Sequence, residues 1–454
     1  MTSTSAPPAK TVPAPGRTGW RQVVRALRQP RVLIMLLLGF SSGLPFFLTA
    51  NTLAFWLREG GVQLSTIGFL SWVGLAYTLK FLWAPIIDRI DAPLVGRRLG
   101  RRRGWLVVSQ ALVAAGLFGI AATGPSGSLA ALAAAALLAA FASATQDVVV
   151  DAWRIEAAET ADELGLLAAA YALGYRTAII ATDALILVLA AQIGWPASYV
   201  TAGLAMGIGT AATLAAAEPL RQLVQQSALR PLWTPRGLID AIVGPFVAFF
   251  QTHGRLALLM LAVVSLYRLP EFMIGPMVNP FYVDLGLTKT IVGSIRTSIG
   301  IWGTMAGIAL GGVAAVKLGL GRTLILGAIT GSAANLVFTV MAVAGPDLTL
   351  FAVAMFFDNL GQSLAGVALV GYMSTLTSAG YTATQYALLS SFYAVLGKIL
   401  KGFSGLMLEA LTAAGLPLMD AYAWFFVGTA LIGVPALILS IFLARAIRPA
   451  RAAE

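Results

Sequence analysis

The chain has 454 residues, of which 58% are hydrophobic and only 11% charged; soluble domains carry about a quarter charged residues, so a water-soluble globular protein is excluded. Cysteine is absent, which excludes disulfides, thiol nucleophiles and cysteine metal sites. The formal net charge of +11 would suit nucleic acid, but the basic residues gather in loops on one side of long apolar runs. Membrane orientation requires that pattern, and no nucleic-acid partner is expected.

Taken in chain order, residues 1–18 are rich in Pro, Ala, Ser and Thr and read as a disordered tail with no cleavable signal pattern. Twelve apolar stretches follow, predicted as helices over 31–57, 64–87, 104–123, 127–153, 163–191, 196–217, 255–282, 289–316, 322–343, 347–376, 383–412 and 420–444. Helices of about 20 apolar residues cross the hydrocarbon core of a bilayer. The landmarks Leu44-Pro45, Gly61, Gly68 and Gly96-Arg97 recur as Leu269-Pro270, Gly286, Gly293 and Gly321-Arg322 at one offset of 225 residues. Two matching halves of a very apolar chain, with mean hydropathy +0.84, predict an all-α integral membrane protein of two pseudo-symmetric six-helix halves. Such a protein carries its site between the halves.

The halves are expected at 19–217 and 255–445, with a central loop at 218–254 and a short tail at 446–454. In the central loop, Leu220, Leu223, Leu229 and Trp233 among Arg and Gln suggest a surface-lying amphipathic helix, either coupling the halves or merely tethering them. Arg21, Arg25, Arg28 and Arg31 precede the first span, and Arg97, Arg98, Arg101, Arg102 and Arg103 lie between the second and third. Arg221, Arg230, Arg236 and Arg255 lie in the central loop, and Arg445, Arg448 and Arg451 close the chain. With twelve spans these loops share one side, which predicts that both termini are cytoplasmic.

The loop after the second helix reads Asp88-Arg89-Ile90-Asp91, then Gly96-Arg97-Arg98 and Gly100-Arg101-Arg102-Arg103. An acid at a helix end can cap a neighbouring helix, and arginines can pair with acids on adjacent helices, a latch for the cytoplasmic side. Asp88, Arg89, Gly96 and Arg97 are the gating candidates there, with Asp151 and Arg154 as their partners at the end of the fourth helix. The same basic loop also serves simple orientation.

Charge inside the spans is the sharper signal, because each such group costs at least about 2.5 kcal/mol at mid-membrane on insertion scales. Lys80 is on the second helix, Gln146 and Asp147 on the fourth, and Tyr175, Arg176 and Asp183 on the fifth, with Arg176 and Asp183 predicted on one face. The seventh carries Tyr267, Arg268 and Glu271, the eighth Arg296, the tenth Asp358, Asn359 and Gln362, and the eleventh Lys398 and Lys401. Arg268 and Glu271, three apart, are placed to pair along their helix. Breakers at Gly43 and Pro45 in the first helix, and at Pro270, Pro276 and Pro280 in the seventh, suit backbone that lines a cavity or bends, or static kinks that improve packing.

The set reads as a polar cavity with basic groups for an anionic solute and acids for protons; read otherwise, it is a set of structural ion pairs between helices. The substrate-binding candidates are Lys80, Gln146, Tyr175, Arg176, Tyr267, Arg268, Asn359, Gln362 and Lys398, and the proton-coupling candidates are Asp147, Glu271 and Asp358. The expected partners are a small anionic solute, protons and the lipid bilayer. No cofactor, metal or catalytic residue is expected, since there is one histidine and the acids are scattered through both halves. A membrane-embedded transferase and a non-transporting sensor are the competing classes. No phosphate-binding loop of the Gly-x4-Gly-Lys-Ser/Thr type is present to suggest ATP as the driver.

Several segments resemble the AmpG-type muropeptide permeases of the major facilitator superfamily. They are Gly39-Phe40-Ser41-Ser42-Gly43-Leu44-Pro45, Lys80-Phe81-Leu82-Trp83-Ala84-Pro85 with Asp88-Arg89, and Gln146-Asp147 through Asp151-Ala152-Trp153-Arg154. Leu173-Gly174-Tyr175-Arg176, Phe356-Phe357-Asp358-Asn359-Leu360 and Thr384-Gln385-Tyr386-Ala387-Leu388-Leu389-Ser390 complete the set, in order through both halves. The resemblance implies proton-driven uptake of anhydro-muropeptides, GlcNAc–anhydroMurNAc wall fragments, across the bacterial inner membrane for recycling. The run Asp358-Asn359-Leu360-Gly361-Gln362 and the pair Lys398 and Lys401 depart from the family pattern at the expected cavity. Related carriers include an acetyl-CoA branch, so an acyl-CoA-like solute stands as the alternative cargo.

Overall fold

The structure is a computed structural model that describes residues 29–84, 87, 90–93, 95–159, 161–219, 250–251, 254, 256–375 and 394–451. The predicted tail at 1–18, the gating candidates Asp88 and Arg89, the central amphipathic segment and the 384–390 motif lie outside the described residues.

Among the described residues ten helices are long and apolar enough to span a bilayer. They are α1 (Pro30–Glu59), α3 (Arg101–Thr123), α4 (Leu129–Ala157), α5 (residues 161–193), α6 (Trp195–Ala215), α7 (Leu256–Asp284), α8 (residues 289–318), α9 (Leu320–Ala344), α10 (Leu348–Thr375) and α12 (Leu418–Arg445). The remaining two predicted spans are α2, an apolar helix over Leu64–Leu79 continuing as a 3-10 turn at Lys80–Leu82, and α11, over 394–413 with a 3-10 turn at Lys401–Phe403. Side chains such as Trp302, Leu204, Val343 and Trp424 stand exposed on outward faces. So large an apolar surface belongs against acyl chains, not water. The protein is therefore a multi-pass membrane protein of two six-helix halves.

The helix breaks fall close to the predicted prolines, but not on them. In α1 the break is at Thr49 and Ala50, one turn past Pro45. Gly43 serves contact instead: a Cβ there would lie 2.6 Å from the Tyr175 carbonyl oxygen. In α7 the break is at Arg268, and Pro270 sits in the first turn of the following segment, where a missing N–H costs nothing. Two breaks have no proline. Ala181–Leu185 in α5 and Arg296–Gly300 in α8 are π turns. Their loosened carbonyls need outside donors. Thr52 of α1 donates to the Thr182 carbonyl at 2.6 Å, and Arg296 of α8 donates to that of Asp183 at 3.2 Å.

We call the end where α1 begins and α12 finishes the basic end, and the opposite one the far end. Polar contacts between the halves gather toward the far end. Arg58 pairs with Asp284 at 2.7 Å, and Tyr422 donates to the other oxygen of Asp284 at 2.8 Å. Glu59 accepts from Lys289 at 3.1 Å and from the Trp195 indole. Ser65 donates its backbone N–H to Glu409 at 2.8 Å.

Candidate functional site

The polar groups of the N-terminal half meet on α1, α2, α4 and α5. Glycines bring α1 and α5 together: a Cβ at Gly39 would lie 2.3 Å from the Tyr171 carbonyl oxygen, and one at Gly174 would lie 1.9 Å from that of Leu36. That closeness lets Ser41 and Ser42 present their hydroxyls to α4. Gln146, fully buried, donates to them at 3.0 and 3.2 Å, and its own amide oxygen is left without a protein partner. An unsatisfied buried acceptor invites a donor from outside the protein. Asp147 accepts from the Tyr171 hydroxyl at 3.4 Å and lies 3.9 Å from the Lys80 ammonium. Tyr175 tilts against Tyr171 and Phe46, with Tyr77 on the other edge of Phe46. Lys80, Gln146, Asp147 and Tyr175 are thus brought together.

Arg176 is not part of this cluster. It stands on the exposed face of α5 with Leu173 and Thr177. Asp183, predicted on the same face, lies within the π turn Ala181–Leu185. Asp183 instead pairs with Arg296 at 2.9 Å, across the halves. Arg296 also donates to Asn279, whose amide donates to the Asn51 carbonyl at the α1 break.

In the C-terminal half, Arg268 and Glu271 pair along the helix at the α7 break, as their spacing predicted. Asp358 on α10 lies within electrostatic reach of Glu271 and Arg296. Gln362 is one turn on, its amide nitrogen buried without a hydrogen-bond partner. Two predicted cavity residues pack instead. Tyr267 is buried and donates its hydroxyl to the Leu324 carbonyl at 2.8 Å, fixing α7 to α9. Asn359 accepts from Thr304 of α8 at 3.2 Å and donates to the Met355 carbonyl at 2.8 Å, which leaves its amide occupied in the α8–α10 contact. Lys398 reaches across the halves to the Gly74 carbonyl at 3.1 Å.

At the basic end the expected latch differs in its members. Asp151 and Arg154 pair with each other at 2.9 Å within α4, and Arg154 lies over the Tyr171 ring at 5.4 Å. Gly96 is buried against Asp91 while Arg97 is exposed. The acid that meets the basic loop is Glu156, bonded to Arg101 at 3.2 Å and to the buried Arg102 at 3.0 Å. Glu218, just beyond α6, accepts the backbone N–H groups of Arg102 and Arg103 at 2.8 and 2.9 Å and so caps α3. Arg31 joins Glu159 and Glu163 at 2.9 and 3.1 Å. The backbone N–H of Glu159, ahead of Arg31, holds the Glu163 carboxyl below its usual value. An acid two residues past Arg154 was the available signal for Glu156; nothing local marked Glu218.

The fold is that of major facilitator transporters. A solved nucleoside transporter, NupG, superposes with TM-score 0.66 at 16% identity, covering 90% of this chain and 99% of its own. The peptide-family transporter PepTSo gives 0.66 at 12% identity, covering 93% and 99%. The family model described as "Acetyl-coenzyme A transporter 1" matches residues 31–128. The "Anhydromuropeptide permease" of Escherichia coli K12 is 35% identical over 92% of this chain and 80% of its own length. A Rickettsia felis transporter designated AmpG 4 is 28% identical over 93% of this chain and 98% of its own. The protein is a membrane transporter, not an enzyme, and it belongs to the AmpG permease family.

Proposed function

We propose that the protein imports anhydro-muropeptides across the bacterial inner membrane, coupled to protons, by alternating access. Both termini are cytoplasmic in this reading, so the basic end faces the cytoplasm. Residues 218–254 connect the halves 19–217 and 255–445. The observation that carries the cargo is the likeness to the E. coli permease along nearly the whole chain. Alternating access is supported by the far-end contacts. They close the periplasmic side while the charged centres of both halves lie toward the cytoplasmic side of that closure. Lys80, Gln146, Tyr175, Arg268, Gln362 and Lys398 are the groups for the solute, and Asp147, Glu271 and Asp358 carry the proton. The match to the acetyl-CoA transporter model over residues 31–128 keeps an acyl-CoA-like anion as the second reading.

The test is uptake of labelled anhydro-muropeptide into proteoliposomes under an inward proton gradient, with acetyl-CoA as the second probe. Gradient-dependent uptake that protonophore collapses, and that Asp147→Asn or Glu271→Gln abolishes, is the expected result. Muropeptide uptake indifferent to the gradient and to both substitutions would remove the coupling. Uptake of acetyl-CoA alone would replace the cargo.

A further inference from the structure

Helices α2 and α11 touch backbone to backbone across the halves. A Cβ at Gly405 would lie 1.8 Å from the Leu64 carbonyl oxygen, and one at Gly68 would lie 2.6 Å from that of Gly402. Trp72 seals the crossing, edge-on to Phe403 at 5.6 Å and donating to the Ile399 carbonyl at 2.9 Å. Around this crossing both helices tighten into 3-10 turns, at Ser71–Leu75 and Lys80–Leu82 on α2 and at Lys401–Phe403 on α11.

Three lysines result from this geometry. The Lys398 ammonium lies 3.1 Å from the Gly74 carbonyl oxygen, and that of Lys401 lies 3.3 Å from where a Gly74 Cβ would stand. The two therefore converge on one residue that has no side chain to separate them. Lys398 is within electrostatic reach of Lys80 as well as Lys401. Lys80 has Asp147 at 3.9 Å, and among the described residues no carboxylate pairs with Lys398 or Lys401. Ionisable groups at membrane depth ordinarily find an opposite charge or a water-filled cavity. Here like charges from both halves are gathered, and the one acid shown beside them, Asp147, lies against Lys80.

We infer that Lys80, Lys398 and Lys401 form one anion seat shared between the halves, which binds the carboxylates or a phosphate of the solute. This rests on the transport reading above and adds Lys401 and the charge rule. With Asp147 ionised, three ammonium groups and one carboxylate leave two positive charges, so in that state the seat fits a dianionic group. Since Lys80 comes from one half and the other two from its partner half, a bound dianion ties the halves together. An uncharged solute leaves them repelling.

The test compares anhydro-muropeptide bearing free peptide carboxylates with the same molecule amidated, each taken up by proteoliposomes. Lys401→Gln should raise KM for the free acid about tenfold, the size of one lost charge-assisted contact of about 1.4 kcal/mol. Its kcat should hold within about twofold. Lys401→Arg should restore KM, and the amidated probe should be taken up weakly and be indifferent to the substitution. An unchanged KM for the free acid in Lys401→Gln, or equal losses on both probes, would overturn the seat. A second readout is independent of cargo. Inorganic phosphate should raise the thermal stability of the wild type in detergent, and Lys401→Gln should abolish that rise. If neither probe is taken up by the wild type, the muropeptide reading fails. The phosphate result then decides the seat by itself: no stabilisation of the wild type would overturn it.

Discussion

Gly174→Ala tests the contact on which the N-terminal cluster is built. The new Cβ would lie 1.9 Å from the Leu36 carbonyl oxygen and 2.8 Å from the Phe40 backbone nitrogen. Both partners are backbone of α1, so no side chain can turn aside, and relief needs a shift of about 1.5 Å, from 1.9 to the 3.4 Å where ordinary contact begins. Overpacking of this kind costs about 1–3 kcal/mol, and a backbone clash belongs at the upper end. Replacing glycine by alanine in a helix returns at most about 1 kcal/mol of propensity. The clash wins, with a net loss of about 1–2 kcal/mol, and parting α1 from α5 also draws Ser41 and Ser42 away from Gln146. The assay is thermal unfolding of the purified protein in detergent, beside Gly207→Ala on α6, where nothing lies within 4 Å of the added carbon. Gly174→Ala should melt several degrees lower and lose uptake, while Gly207→Ala should match or exceed the wild type. Equal melting temperatures for the two would refute the close α1–α5 packing and the cluster geometry derived from it.

Other outcomes follow from the ends of the molecule. Glu156→Ala should cost about 1.5–3 kcal/mol by thermal unfolding, the worth of a hydrogen bond to a charged group, since it removes the carboxylate that holds the buried Arg102 guanidinium. Glu218→Ala should cost less, about 0.5–2 kcal/mol, the worth of a helix N-cap. Arg58→Ala should loosen the far end by removing the tie to Asp284. Because the native chain has no cysteine, a single cysteine at Leu287, which is buried and lines the far-end cavity beside Glu59 and Lys289, reports this directly. Its labelling by an impermeant maleimide should rise in the Arg58→Ala background, and unchanged labelling would deny that the pair holds this end shut.

The membrane architecture was legible because its cause is composition: apolar runs of span length, charge confined to loops, and an offset shared by four landmarks. The Arg268–Glu271 pair was legible because residues three apart on a helix must meet. What escaped was whatever depends on another helix. Asp183 was placed with Arg176 by regular α-helical counting, which gave no sign of the π turn it sits in or of Arg296, its partner from the other half. Tyr267 and Asn359 have the residue types of a sugar-binding cavity, yet Tyr267 donates to a neighbouring helix, and Asn359 accepts from one and donates to its own backbone. Pro45 and Pro270 located the breaks only to within about a turn; these fall at Thr49–Ala50 and at Arg268. Lys401 was noticed as a charge within a span and as a departure from a family pattern; its position beside Gly74 required α2 and α11 to be placed side by side.

The most direct measurement of the central claim is counterflow. Proteoliposomes are loaded with unlabelled anhydro-muropeptide and diluted into a trace of labelled molecule with no proton gradient. A carrier whose single site faces each side in turn must exchange, so label should accumulate transiently above its equilibrium level and then decay, and Lys80→Gln should suppress the overshoot. Label that never exceeds equilibrium, in vesicles shown to contain folded and inserted protein, would contradict the account.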